Sequence, residues 1–202
     1  GNMMDNLYRK ALTLSYFTVG YNILEGVASV IAGAFAGSIA LVGFGLDSFV
    51  ESLSGIIMIW RFRKHGIVSL EEEEEIEHRA LKLVGYTFFI LAGYILYESV
   101  TKLYYVEIPD TSLVGIIIAV LSIIIMPVLY IKKVQVGKTI GSKSLLSDAK
   151  ETLACTFLSI ALLLGLGLNY LWGLWQADPI VGIIVALYLV KEGREIVTDE
   201  ED

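Results

Sequence analysis

The chain has 202 residues, of which 55% are hydrophobic and 18% are charged, and its mean hydropathy is +0.69. A soluble domain of this size needs more polar surface, so the composition excludes a soluble globular protein and predicts one covered by lipid. The formal charge is −7, but nine of the 22 acidic residues lie in the runs 71–75 and 199–202, so the charge indicates no nucleic-acid partner.

Six stretches of the chain are suited to cross a membrane, because each offers about 20 mostly apolar residues. They lie near residues 11–33, 38–61, 80–104, 112–132, 144–171 and 178–196. The sequence therefore predicts an all-α polytopic membrane protein with six transmembrane helices. Trp172 and Trp175 before the last span indicate an interfacial aromatic belt, and Asp178 followed by Pro179 predicts a cap and first turn for the sixth helix.

The distribution of basic residues predicts the orientation. Thirteen of the 15 Lys and Arg residues fall on one side of this arrangement, with Lys102 opposite and Lys150 inside a span. Basic residues are most frequent on the cytoplasmic side, so we expect both termini in the cytoplasm and the protein in the cell membrane. The cytoplasmic loop 62–79 is acidic. We expect its Glu71–Glu75 run to be a solvated helix start, with a regulatory cation-binding loop as the alternative, and His65 and His78 to be solvated. Few residues follow the last span, so no soluble C-terminal domain is expected.

Ionisable side chains inside three of the spans are the strongest functional signal, because each costs at least a few kcal/mol in hydrocarbon unless paired, hydrated or bound to metal. The polar residues of these spans are Asn22 and Glu25 in the first, Asp47 and Glu51 in the second, and Asp148, Lys150, Glu151 and Cys155 in the fifth. Residues four apart share one helix face, so Asp47 with Glu51, and Glu151 with Cys155, can each offer two ligands to one ion. Oxygen ligands with a single sulfur favour Zn²⁺, ahead of Fe²⁺, Co²⁺ and Mn²⁺.

Each candidate ligand also has a structural interpretation. Cys155 alone is more often an inert apolar residue, and Asp47 and Glu51 could instead pair with Lys150 or be protonated carboxyl groups. Asn22 is balanced between ligand and interhelical hydrogen bond. Asp148 lies nearer the cytoplasmic end, as a first ligand on the path inward or as a helix cap. Lys150 either snorkels to the cytoplasmic face or neutralises Asp148.

Other polar residues in the spans are expected to have lesser roles. Glu98 is expected at the membrane interface. Ser48, Ser52 and Ser54 are expected to bond backbone carbonyls or to pack helices.

The chain resembles the cation diffusion facilitator family in two motifs, the span-two segment 37–52 (GSIALVGFGLDSFVES) and the span-five segment 144–155 (SLLSDAKETLAC). The resemblance implies that Asp47 and Glu51 face Glu151 and Cys155 across one transported ion. Three features depart from the family pattern. Glu151 and Cys155 stand where a His and an Asp are usual, glutamates replace the histidine-rich loop, and the cytoplasmic C-terminal domain of most members is not expected.

These observations predict a secondary transporter, not an enzyme, that exports a divalent transition metal in exchange for protons and works as a homodimer. A passive cation channel and a non-transporting metal-binding membrane protein are the alternatives. Catalysis is not expected, because the only thiol, Cys155, has no histidine within a span to activate it.

Overall fold

The computed structural model describes residues 2–108 and 113–199, and all six predicted segments are helical in it. The helices are α1 (Asn2–Ala36), α2 (Ile39–Arg63), α3 (Leu70–Tyr105), α4 (Leu113–Ile140), α5 (Lys143–Trp172) and α6 (Ala177–Asp199). Within these residues no strand occurs, which agrees with the predicted all-α class.

Serine caps fix where three of the helices begin. The hydroxyls of Ser38, Ser69 and Ser142 accept hydrogen bonds from backbone N–H groups three residues further on, each at 3.2 Å. Because α3 starts at Leu70, the glutamate run belongs to a helix, and the connection before it shortens from the predicted 62–79 to 64–69. All five glutamates except Glu73 are exposed, which agrees with a solvated helix start.

Glu73 is buried because it belongs to an ion-pair network at the start of α3. Its carboxylate accepts from Arg61 at 3.2 Å and lies 2.7 Å from Nδ1 of His65. The other ring nitrogen of His65 lies 3.1 Å from Asp5, and its ring stacks on Tyr8 with centroids 3.7 Å apart. His65 therefore ties α1 to α3, and the expectation of a solvated loop histidine is wrong.

The helices pack chiefly as the pairs α1 with α2, α3 with α6, and α4 with α5, while α5 also contacts α2, α3 and α6. The start of α1, the end of α6 and the connections 64–69 and 141–142 lie together at what we call the terminal end of the bundle. The connections 37–38 and 173–176 lie at the opposite end, which we call the far end. Helix α5 is thus placed to carry polar residues into the middle of the bundle.

The outer surface of the bundle is suited to lipid. On α4, Ile117, Ile124 and Ile131 repeat every seven residues and are each at least half exposed. Tyr170 and Trp172 are exposed near the far end, where aromatic residues commonly mark a membrane interface. Helices α1 to α5 are long and apolar enough to cross a membrane. Helix α6 carries charged residues along its last turns and does not meet that criterion, so the sixth span and the orientation of the termini stay predictions.

Close contact between α1 and α2 depends on glycine. A Cβ atom on Gly45 would lie 2.7 Å from the backbone oxygen of Gly26, whereas one on Gly20 would meet nothing within 4 Å. We expect Gly45→Ala to lower the free energy of unfolding by about 1–3 kcal/mol, because the backbones must separate. Thermal unfolding in detergent tests this, with Gly20→Ala as the matched control. Equal melting temperatures for the two variants would contradict the close packing.

Candidate metal site

Five of the seven predicted ligands lie near the middle of the bundle, and we call them the central cluster. They are Asn22, Glu25, Glu51, Glu151 and Cys155, contributed by α1, α2 and α5, and each is at most 5% exposed. The Glu51 carboxylate lies close to the Cys155 thiol and within electrostatic range of Glu25 and Glu151. The sequence therefore identified side chains that the fold does bring to one region.

Neighbouring hydroxyls hold two of these carboxylates. Ser48 donates to Oε1 of Glu25 at 2.8 Å, and Thr87 of α3 donates to Oε1 of Glu151 at 3.0 Å. Ser48 also donates to the backbone of its own helix, as predicted, but its bond to Glu25 across α1 and α2 was not expected. Thr87 was missed because a threonine in an apolar span gives no signal in the sequence.

Several oxygens of the central cluster lack a well-aligned hydrogen bond. Within the described part of the chain, these buried atoms are Asn22 Oδ1, Glu25 Oε2, both carboxylate oxygens of Glu51, and Glu151 Oε2. Weaker polar contacts remain, from Tyr21 and Ser122 to Glu25, from the Cys155 thiol to Glu51, and from Ser54 to Glu151. A buried polar atom left without a partner costs about 1–3 kcal/mol, so such a group calls for a functional explanation. The amide oxygen of Asn22 accepts no hydrogen bond in the described structure, so it is free to act as a ligand.

The Cys155 thiol is 2% exposed and belongs to a polar chain on α4 and α5. Its Sγ lies 4.0 Å from the hydroxyl of Ser122, which in turn accepts from Ser159 at 2.8 Å. An inert structural cysteine is expected to lie in a purely apolar pocket. Here the thiol faces a carboxylate and a hydroxyl, so it has the surroundings of a potential ligand.

Asp47 has different surroundings from Glu51, although the two are one turn apart on α2. Its carboxylate lines a small cavity near the far end, together with Glu98, Lys102 and Asp178. Asp47 Oδ1 has no hydrogen-bond partner among the described atoms. In this conformation Asp47 faces the far end and interacts with Glu51 only electrostatically, and its place in one shared site stays a prediction.

Asp148 is held in a buried ion pair that the sequence did not predict. Its Oδ2 lies 2.9 Å from the ammonium of Lys133, which is completely buried on α4, and its Oδ1 accepts from Ser54 at 2.6 Å. Lys133 also donates to Thr152 at 3.0 Å. Asp148 is not a helix cap, since Ser142 caps α5. Lys133 lies just beyond the predicted fourth span, 112–132, but α4 continues to Ile140 and carries it into the interior.

Of the two alternatives for Lys150, the structure agrees with a side chain that reaches the edge of the bundle and not with one that neutralises Asp148. Its ammonium pairs with Glu192 of α6 at 2.6 Å, so it neutralises neither Asp148 nor the carboxylates of α2. Its side chain is 42% exposed, in agreement with a position near the terminal end. Lys150 therefore joins α5 to α6 outside the central cluster.

The central cluster is not arranged as a finished coordination sphere. In residues 2–108 and 113–199, no three His, Cys, Asp or Glu side chains are placed so that they could hold one metal ion together. The structure thus brings Glu25, Glu51, Glu151 and Cys155 into proximity and leaves the ligand set a prediction. Asp148 borders this group, because it interacts with Glu151 and shares Ser54 with it, while Asp47 interacts with Glu51 but faces the far end.

Comparison with known proteins gives the family. The family model of the cation efflux transmembrane domain matches residues 15–200. Transmembrane protein 163 of Xenopus laevis is 23% identical over 196 residues, covering 96% of this chain and 69% of that protein. An uncharacterized transporter of Methanocaldococcus jannaschii is 27% identical over 187 residues, covering 87% of this chain and 63% of that protein. The chain thus spans about two thirds of the length of these relatives. With nearly all its residues matched by the domain model, this integral membrane protein belongs to the cation efflux family.

Proposed function

We propose that this protein is a secondary transporter that exports a divalent transition-metal cation, Zn²⁺ above all, from the cytoplasm in exchange for protons. The observation that supports this most directly is the group of unpartnered buried oxygens beside a thiol in the central cluster. A dehydrated cation would give those atoms the partner that they lack. The match to the cation efflux family supports cation transport as the general activity.

The choice of ion follows from the ligand types. Glu25, Glu51 and Glu151 offer carboxylate oxygens, and Cys155 offers one thiolate sulfur. A mixed oxygen and sulfur set suits Zn²⁺, with Fe²⁺, Co²⁺ and Mn²⁺ next, whereas Mg²⁺ and Ca²⁺ gain nothing from sulfur. To give the ion four ligands, the side chains of the central cluster on α1, α2 and α5 must approach one another by small rotamer changes. Asp47 can join them by turning toward Glu51, which lies one helical turn away.

Proton exchange follows from the chemistry of the same ligands. Carboxylate and thiol groups bind a metal ion only after they lose their protons, so metal loading releases protons and protonation releases metal. Transport requires that the bundle open in turn toward each side of the membrane around this buried region. We propose that the protein does so as a homodimer in the cell membrane, with both termini in the cytoplasm.

Flux measurements in proteoliposomes test the proposal. Purified protein in liposomes with an imposed pH difference should move Zn²⁺ toward the more acidic compartment, and collapsing the difference with a protonophore should reduce the initial rate at least about tenfold. Liposomes without protein give the background, and Mg²⁺ replaces Zn²⁺ as the control ion. Zn²⁺ flux that ignores the pH difference would identify a passive channel. Stoichiometric binding without any flux would identify a metal-binding protein that does not transport.

A further inference from the structure

A second group of buried charges lies near the far end of the bundle, and we call it the far-end cluster. It consists of Asp47 on α2, Glu98 and Lys102 on α3, and Asp178 in the first turn of α6. These side chains line one cavity of about 20 Å³. A cavity that size has room for a single water molecule or ion. Glu98 was expected at the membrane interface, and Asp178 was expected only to cap a helix, so the sequence did not predict this cluster.

The far-end cluster has an excess of carboxylates. Lys102 is 8% exposed, and its ammonium pairs with Asp178 at 3.0 Å while facing Glu98 and Asp47. One ammonium therefore stands against three carboxylates. Asp47 is 5% exposed, and neither its Oδ1 nor Oε1 of Glu98 has a hydrogen-bond partner in the described structure. The carboxyl groups of Asp47 and Glu98 lie against each other, with Tyr94 beside Glu98, so two acidic groups meet at this point with only Lys102 as a nearby positive charge. Either a shared proton or a bound cation can relieve their repulsion.

Glycines at three helix crossings, α2 with α3, α3 with α6, and α5 with α6, make room for this cluster. A Cβ atom on Gly43 would collide with the carboxylate of Glu98, and one on Gly182 would collide with the hydroxyl of Ser99, one residue further along α3. On Gly165 a Cβ would lie 2.6 Å from that of Asp178. The carboxylate of Glu98 thus reaches the interior across α2 only because position 43 has no side chain.

We propose that the far-end cluster becomes a second binding site for a divalent cation once Lys102 swings away, with Asp47, Glu98 and Asp178 moving together as its ligands. In the conformation described for residues 2–108 and 113–199, these three side chains are not placed to hold one ion together, because Lys102 pairs with Asp178 between them. Lys102 is a tethered cation that occupies the site and swings away when a metal ion binds. Asp47 lies one turn from Glu51 and could pass an ion from the central cluster to the far-end cluster. Only this place on a transport path rests on the proposed function; the existence of the site does not.

Equilibrium dialysis of the detergent-solubilised full chain against Zn²⁺ tests the site. At saturating Zn²⁺ the Glu98→Gln variant should bind one ion fewer per chain than the parent, and so should Glu51→Gln, while the double variant should lose both. If Glu98→Gln binds as many ions as the parent, the inference is wrong. If the parent moves no Zn²⁺ in proteoliposomes, the proposed function fails. The far-end site still stands in that case if Glu51→Gln keeps the ion that Glu98→Gln loses.

Two further substitutions separate ligand binding from a structural role. Gly43→Ala puts a methyl group where the Glu98 carboxylate lies, and should weaken binding of the second ion at least about tenfold. Gly93→Ala, on the same helix as Glu98 with nothing within 4 Å of the added carbon, should leave binding unchanged. Lys102→Met removes the competing cation and should tighten second-ion binding. Weaker binding in Lys102→Met at an unchanged melting temperature would overturn the role given to Lys102.

Discussion

We expect Glu51→Gln to lower the initial rate of Zn²⁺ uptake into proteoliposomes by at least about 100-fold. Loss of a residue that merely supports a metal ligand costs up to about that much, and Glu51 is proposed as a ligand itself. Both its oxygens are buried, and in the described structure the Cys155 thiol is the nearest donor to the side chain. The substitution keeps the shape of the side chain but removes its charge, so the fold should survive.

Glu75→Gln is the matched control, because Glu75 is an exposed glutamate in the first turns of α3. Its uptake rate should equal that of the parent within about twofold. Equilibrium binding in detergent should follow the same order as uptake. If Glu51→Gln transports Zn²⁺ as fast as Glu75→Gln, Glu51 is not a ligand and the central cluster is not the transport site.

Lys133→Met should lower the free energy of unfolding by about 3–5 kcal/mol, because removing one partner of a buried ion pair leaves an uncompensated charge. Lys133 is completely buried, and Asp148 is 2% exposed. The double variant Lys133→Met with Asp148→Asn should recover most of that loss, since neither charge then remains. Thermal unfolding in detergent measures both effects.

The chain supplies a close control for this experiment at the next position. Lys132 is exposed, so Lys132→Met should change the melting temperature little. If Lys133→Met unfolds at the temperature of Lys132→Met, the ammonium of Lys133 is not needed to neutralise Asp148. A double variant no more stable than Lys133→Met would show that its loss comes from packing and not from charge.

The two buried lysines perform comparable roles at different depths. Lys133 bridges α4 to α5 through Asp148, and Lys102 bridges α3 to α6 through Asp178. Each neutralises one carboxylate of a larger acidic group. Among the described residues, no lysine or arginine forms a direct ion pair with a carboxylate of the central cluster, although Lys133 acts on Glu51 and Glu151 from a greater distance. For this reason we place the transported ion at the central cluster and not at Asp148.

The sequence predicts those features of the fold that depend on neighbouring residues along the chain. Apolar segments of about 20 residues identify helices locally, so all six were found. Their ends were less certain, because a helix can extend into water for several turns, as α1 does at Asn2 and α3 does at Leu70. Capping by Ser69 and the acidic first turn stabilise such an extension, but neither feature alters hydropathy.

Prediction of the central cluster succeeded in part for a similar reason. Spacing along one helix places Glu151 and Cys155 on one face, and the cost of burying a charge selects Glu25 and Glu51. Spacing does not determine which neighbour a side chain meets. Asp47 and Glu51 share a face, yet Asp47 lines the cavity with Glu98 because Gly43 allows that carboxylate to approach α2.

The sequence by itself determined that this chain is a helical membrane protein. It also identified the buried polar residues that are candidates for function. Both follow because the cost of placing charge in lipid depends only on residue type and segment length. The tertiary structure alone decided the partners. It paired Lys133 with Asp148 and Lys102 with Asp178, and it divided the acidic residues into two clusters. Ion pairing depends on distances of a few ångströms between helices, and helix packing sets those distances.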